Sequence, residues 1–329
     1  MDIRNTRQLK TFAGERLEQA QNAKRIVLIY AGITVALSAL ITVIDYCLSL
    51  QISNTGGLSN LGTRSLLSTL QTVLPLGQML FLLCLDLGYA AAMLRVARGQ
   101  YTSPQTLRLG FDRFWVLLRA SLLQTLIYCA VGVAAIYLGV LIYLMTPLAN
   151  SAMEVLIPLA TEAAAAGETA IWLNDAAYYQ LMSAMAPALV LCGVLYCAAC
   201  APFVYRFRMV NYILIDHPGM GAIAALRESR KMMKGNCLKL FRLDLSMWWY
   251  YAALLGASIV QMLPVLGVEL PVSSTVNYFV FCALFLVLEF GIYLFFRNRV
   301  EVTYALAYDS LRPEEKNDGG VVLGNIFQM

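Results

Sequence analysis

Two carboxylates stand where a carboxylate is costly. Asp86 lies in Leu85-Asp86-Leu87-Gly88 and Glu289 in Leu288-Glu289-Phe290-Gly291, each inside a long apolar run and each followed by an arginine, Arg95 or Arg297, eight or nine residues on. If those arginines mark a membrane interface, a rise of 1.5 Å per residue puts both acids about 12–14 Å deep. An ionised side chain at that depth costs a few kcal/mol, and such groups mark proton relays, ion sites or helix–helix fasteners. Each acid could carry a proton, bind a cation, or pair with the other. Each could equally be hydrogen-bonded within the helix packing, with Gln78, Tyr89 and Tyr293 as candidate partners.

A second charged group is basic. In the stretch Gly221–Lys234, Arg227, Arg230, Lys231 and Lys234 share a helical face, while Ile223, Leu226 and Met233 lie on another. Such a helix is expected to lie flat with its cations towards anionic headgroups, at about 1 kcal/mol per charge. An acidic protein partner is the alternative. Gly235-Asn236 supplies the stop.

Other reactive residues fit structure better than chemistry. Cys197 and Cys200 form C-x-x-C in an apolar run with no further soft ligand nearby, which suits small-residue helix packing. His217, the one histidine, sits in a helix-stopping Asp216-His217-Pro218-Gly219. Asp45 falls near the outer interface, and Asp244 at the inner one, where Arg242 or Lys239 would pair with it or the helix end would use it as a cap. No phosphate loop, dinucleotide fingerprint or zinc-protease motif is present. No enzyme activity, cofactor or metal is expected. Nucleic acid is an unsuitable partner, because the basic face lacks interleaved aromatics.

The elements that position these residues are membrane-spanning helices. The chain has 329 residues, 60% hydrophobic and 13% charged, against roughly 25% charged in soluble domains. Too little polar surface exists to cover a soluble core. A span needs about 20 apolar residues. Six runs qualify, near Ile26–Leu50, Thr69–Leu94, Phe114–Leu144, Ala186–Tyr205, Phe241–Leu263 and Val272–Phe296. Pro75 and Pro202 are tolerable within them as kinks. The polar N-terminal region and the apolar run that follows are both too long for a cleavable signal. None of the eight cysteines sits in a polar external loop, so no disulfide framework is expected.

Six spans place 23 of the 24 Lys and Arg residues on one side, with Arg64 the exception. The opposite loops carry Glu154, Glu162, Glu168, Asp175 and Glu269. The positive-inside rule then puts both termini in the cytoplasm, at an inner membrane. The expected organisation is an amphipathic cytoplasmic helix over residues 1–25, a six-helix membrane domain over 26–310, and a disordered cytoplasmic tail over 311–329. In residues 1–25, Ile3, Leu9, Phe12 and Leu17 make an apolar stripe for the membrane surface, flanked by Arg4, Arg7, Lys10 and Arg16. Cytoplasmic connectors run over 95–114 and 206–240. The external loop 146–184 is expected to hold one or two short helices, with Trp172, Tyr178 and Tyr179 suited to the interface.

Basic turns before spans one, three and five, and the two carboxylate motifs in spans two and six, suggest three helix-hairpin repeats. The fold class is all-α, polytopic.

The stretch Tyr205–Ser246 carries a resemblance. Asp216-His217-Pro218, Ala225-Leu226, Ser229-Arg230-Lys231-Met232-Met233-Lys234-Gly235-Asn236, Lys239-Leu240-Phe241 and Leu243-Asp244-Leu245-Ser246 follow in order, with Ala97-Arg98-Gly99 and Gly110-Phe111 upstream. This set resembles a bacterial integral membrane family catalogued as a domain of unknown function, family 975, over roughly residues 65–310. The chain departs from it in its enlarged external loop and in the connection Pro264-Val265-Leu266 to Pro271. The resemblance implies a multi-pass membrane protein and no catalytic role. Two functions remain open: a scaffold or accessory subunit meeting lipid, further copies of itself or a membrane-protein partner; or a transporter or channel using Asp86 and Glu289. An intramembrane enzyme ranks third.

Overall fold

The computed structural model describes residues 6–54, 61–165, 175–264, 268 and 270–312. Ile3, Arg4, Val265, Leu266, Glu168, Trp172, Glu269 and the tail from residue 313 lie outside them, as do the side chains of Glu162, Asp175, Tyr178 and Tyr179. Among the described residues the chain is helical with no strand. Five helices among these residues are long and apolar enough to cross a membrane.

The chain divides into two units, residues 1–109 with 242–329, and residues 110–241. The first contains α1 (Thr6–Gln19), α2 (Ala23–Asn54), α3 (Leu61–Ala97), a 3₁₀ turn (Pro104–Arg108), α11 (Trp248–Met262), α12 (Ser274–Ile292) and α13 (Asn298–Leu311). The second contains α5 (Phe114–Leu144), α6 (Pro147–Ala165), α7 (Asp175–Phe207), α8 (Val210–Asp216) and α9 (Ala222–Met232). Short α4 (Leu109–Asp112) and α10 (Cys237–Ser246) run across the two boundaries.

In the first unit, burial changes along each long helix. Leu66, Val73 and Met79 of α3 are exposed, whereas Leu87, Met93 and Leu94 are buried. Ile33 and Leu40 of α2 are exposed and Ile26, Val27 and Tyr30 buried. Phe295 is exposed and Val302, Ala305 and Tyr308 of α13 buried. The reason is length. At 37 residues, α3 is about 56 Å long against a hydrocarbon layer of about 30 Å. The excess of each helix packs into a compact collar of ordinary side-chain interdigitation.

α1 belongs to this collar. Leu9 and Ala13 are fully buried, and the helix packs on α3 and α13. This corrects the expectation that the N-terminal apolar stripe rests on lipid: the collar takes its centre. Lys10 reaches the Ser246 carbonyl at 2.5 Å. Burial, with Arg299 nearby, lowers the Lys10 pKa.

The expected span Phe241–Leu263 is divided. The backbone turns at Met247 (φ −113°, ψ 19°), separating α10 from the 15-residue α11. In the second unit α5 and α7 pack closely. A methyl on Gly139 would lie 2.8 Å from Cys192 Sγ, and one on Gly132 2.4 Å from the Tyr196 ring, so glycine is what lets the helices approach. Leu126 and Val133 are 67% and 69% exposed, a face that water would not tolerate and lipid would. Between them, α6 folds back so that Ala149 and Ala152 meet Tyr143 and Ala188. Of the expected external loop, α6 is one helix, and α7 already begins at Asp175.

Candidate functional site

Asp86 sits on α3 where exposed apolar side chains give way to the collar. Its Oδ1 accepts two hydrogen bonds, from the Tyr30 hydroxyl of α2 at 2.5 Å and from Arg297 Nη2 at 2.9 Å. The Asp86 side chain is 44% exposed and that of Arg297 19%. Arg297 is surrounded by aromatic faces. Its guanidinium carbon lies 4.6 Å from the Tyr30 ring centre, 4.8 Å from Tyr293 and 5.5 Å from Tyr89. Tyr30 and Tyr89 are themselves 4.4 Å apart. A desolvated cation over aromatic rings is stabilised by their quadrupoles, which suits Arg over Lys. Arg297 Nε is buried without a hydrogen-bond partner.

The helix carrying Arg297 changes geometry there. Tyr293–Arg297 forms a π turn between α12 and α13. One extra residue in a helical turn rotates the following face by about 100°. The sequence reading of continuous α-helix used Arg297 as an interface marker for Glu289, and missed it as a partner for Asp86. The available signal was the aromatic density of Tyr293-Leu294-Phe295-Phe296, next to an arginine in an apolar run.

Of the sequence candidates, the structure brings Asp86, Tyr89 and Tyr293 together around Arg297. Tyr89 hydroxyl donates to Asn298 Oδ1 at 2.7 Å, and Asn298 Nδ2 donates to the Ala23 carbonyl at 3.3 Å. These bonds fasten α3, α13 and the start of α2. Glu289 hydrogen-bonds with Tyr293, one turn along its own helix, and lies within electrostatic reach of Arg297. Gln78 is not part of the group. It donates to Ser38 Oγ at 3.0 Å, about 12 Å along α3 from Asp86, because eight residues of helix separate them. The arginines expected to accompany each acid are rearranged too. Arg95 donates to Thr106 Oγ1 at 3.3 Å, and Arg297 crosses to Asp86.

Gly88 of the first carboxylate motif has a definite role. A methyl there would lie 2.2 Å from the Leu107 carbonyl oxygen, so only glycine admits the 3₁₀ turn against α3. Gly291, its counterpart, has nothing within 4 Å. Asp244 accepts from Tyr304 of α13 at 2.5 Å. Lys239, one of its expected partners, donates to Asn236 Oδ1 at 2.6 Å. The collar holds a further pair the sequence reading passed over, Arg98 Nη2 to Asp309 Oδ1 at 2.6 Å.

The basic residues form a second group, in the other unit. Arg227, Arg230, Lys231 and Lys234 line a cleft of about 580 Å³ with Arg206, Met233, Gly235 and Cys237. Arg206 comes from the end of α7 and was not expected there. Its carbonyl accepts from Ser229 at 2.9 Å, which holds α9 to α7. Ala222, Ala225, Leu226, Ser229 and Met233 form the buried face of α9. Ile223 does not join it and is 64% exposed, because it lies a quarter turn round from Ala222. Gly235, at φ +80°, turns the chain out of this helix end.

His217 stands exposed where α8 stops, its N–H bonded to the Ile213 carbonyl at 2.9 Å. Cys200 Sγ lies 3.9 Å from the Tyr128 carbonyl on α5 and serves the α5–α7 packing.

Long apolar helices, with no strand among the described residues, point to the class: a helical membrane protein. The chain belongs to the family of proteins of unknown function DUF975, whose model matches residues 1–315 and so includes α1, beyond the stretch that carried the resemblance. No curated protein and no solved structure matches it.

Proposed function

We propose that the chain is a six-span scaffold or accessory subunit of the bacterial inner membrane, without catalytic activity of its own. The observation that carries this is the occupation of Asp86. Its Oδ1 holds Tyr30 and Arg297 together, joining three helices at the level where the exposed apolar stretches end. The exposed stretch of α3 from Leu66 to Phe81 is about 24 Å long, close to a hydrocarbon layer, which moves Asp86 from mid-depth towards the interface. Transport through Asp86 and Glu289 needs both acids on a hydrated path at mid-depth.

The sixth span is α11. Trp249 packs on Phe296 at 4.7 Å, and Tyr251 and Tyr304 share a hydrogen bond at 2.5 Å, so α11 starts at the collar end. It runs beside α12, which returns to the collar. That excursion of about 22 Å is shorter than the hydrocarbon layer, and a crossing there goes with a locally thinned bilayer; with the charge bias it supports cytoplasmic termini. The packing of α2 with α3, α5 with α7 and α11 with α12 supports three hairpin units. The cleft of Arg206, Arg227, Arg230, Lys231 and Lys234 serves anionic headgroups or an acidic partner subunit. A second copy of the chain is a further candidate partner.

The deciding experiment reconstitutes the wild type, Asp86→Asn and Glu289→Gln in liposomes and measures proton and solute flux beside thermal stability. Lowered stability of Asp86→Asn with unchanged flux is the expected result. Carboxylate-dependent flux would overturn the scaffold reading.

A further inference from the structure

In the first unit, a cleft of about 200 Å³ opens between the α1–α2 turn and the segment following α3, lined by Arg16, Gln19, Asn22, Gly99, Gln100 and Thr102 among others. Two polar atoms in these walls are buried without a hydrogen-bond partner, Arg16 Nε and Thr102 Oγ1. Thr102 as a whole is 3% exposed. Buried polar groups are almost always satisfied, and one that is not costs about 1–3 kcal/mol, more when charged. Two such atoms on residues that line one cleft call for an acceptor there.

The surroundings are built for that acceptor. Gly99 has φ +71°, and a methyl there would lie 2.5 Å from Arg16 Nη1, so the guanidinium lies directly against the glycine backbone. Phe12 supports it, its ring centre 4.8 Å from Arg16 Cζ. Asn22 Nδ2 donates to the Thr102 carbonyl at 3.0 Å and fixes the threonine opposite. Among the described residues the lining contains no carboxylate beside Arg16.

We propose that this cleft binds a phosphate group, held by the Arg16 fork and the Thr102 hydroxyl. Arginine matches the geometry of an oxyanion with two parallel donors, and the hydroxyl donates to a further oxygen. The volume admits a phosphate with part of its ester substituent, since water in bulk takes about 30 Å³ per molecule. The cleft lies where α2 begins and α3 ends, on the collar about 16 Å along α3 beyond Asp86, which, on the reading that both helices span the membrane, is the aqueous side of the headgroups. The phosphate therefore comes either from a lipid phosphodiester or from a soluble phosphorylated molecule.

The test measures melting of the purified full chain in uncharged detergent, with and without inorganic phosphate, and in nanodiscs of phosphatidylglycerol or of a neutral glycolipid without phosphate. The variants are Thr102→Val, Arg16→Gln and, as a control on the other basic cleft, Arg227, Arg230, Lys231 and Lys234 all changed to Gln. The wild type should be stabilised by one of the two phosphate sources, and the control variant should keep that part of the stabilisation which Thr102→Val and Arg16→Gln abolish. Thr102→Val and Arg16→Gln should weaken that apparent affinity at least tenfold. Without phosphate, Thr102→Val should melt no lower than the wild type, because it removes an unsatisfied hydroxyl rather than a bond. Stabilisation by inorganic phosphate assigns a soluble ligand; stabilisation by phosphatidylglycerol alone assigns the lipid. Absence of both effects in the wild type, equal effects in Thr102→Val, or loss of the effect in the control variant alone would overturn the proposal.

Discussion

Arg297 Nη2 lies 2.9 Å from Asp86 Oδ1 although 211 residues separate the two in the chain. The pair closes the first unit, since Asp86 belongs to α3 and Arg297 to the π turn between α12 and α13. Removing the carboxylate takes from the largely buried guanidinium its 2.9 Å ion pair and leaves it aromatic faces, the Tyr250 hydroxyl and an unsatisfied Nε. Asp86→Ala is expected to destabilise by about 2 kcal/mol, below the range for a fully buried pair because Asp86 is 44% exposed. A double-mutant cycle with Arg297→Met, read by thermal unfolding in detergent, should give a coupling well above 0.5 kcal/mol, about the limit of independent sites. Additive effects would mean that the pair contributes nothing.

The glycines of the two carboxylate motifs should behave differently. Gly88→Ala places a methyl 2.2 Å from a backbone oxygen, which no side-chain rotation relieves. It is expected to cost 2 kcal/mol or more, on the order of an overpacked core substitution. Gly291→Ala meets open space and should change stability little, or raise it through helix propensity. Melting temperatures of the two variants check this directly.

Tyr89→Phe removes one hydroxyl from a buried position. It leaves Asn298 Oδ1 without its 2.7 Å donor, while Asn298 Nδ2 still bonds the Ala23 carbonyl. A loss of about 1–2 kcal/mol is expected. Tyr89→Phe combined with Asn298→Leu, which also removes the bond to the Ala23 carbonyl, should lose less than the sum of the two single losses, because both single changes remove the same 2.7 Å bond. Strictly additive losses in thermal unfolding would refute this account.

Changing Arg227, Arg230, Lys231 and Lys234 to Gln should weaken association with phosphatidylglycerol vesicles by about 1 kcal/mol per charge lost, most clearly at low salt. Binding of the purified protein to immobilised vesicles across a salt series measures it. Unchanged binding would refute headgroup recognition by this cleft. The fold should survive, since α9 is held by its buried face and by Ser229.

Much of this protein follows from composition and periodicity. The apolar runs locate the long helices because a bilayer demands about 20 apolar residues whatever the tertiary fold. The cost of a charge among them singles out Asp86 and Glu289 before any partner is known. The spacing of Arg227, Arg230, Lys231 and Lys234 places them on one face, because the helical period is local. Partnership is a different matter. Arg297 reaches Asp86 through a π turn and a distant contact, neither of which leaves a periodic trace. The apolar stripe of α1 is bound by the same free energy on lipid or on protein, so only the presence of α3 and α13 decides that Leu9 and Ala13 are buried in the collar. Arg16 and Thr102 are ordinary polar residues in the sequence. Their meeting across a cleft depends on the turn before α2 lying beside the end of α3. Local energetics thus determine which segments are helical and apolar, while side-chain pairing between segments distant in the chain is fixed only when the tertiary structure brings them within hydrogen-bond reach.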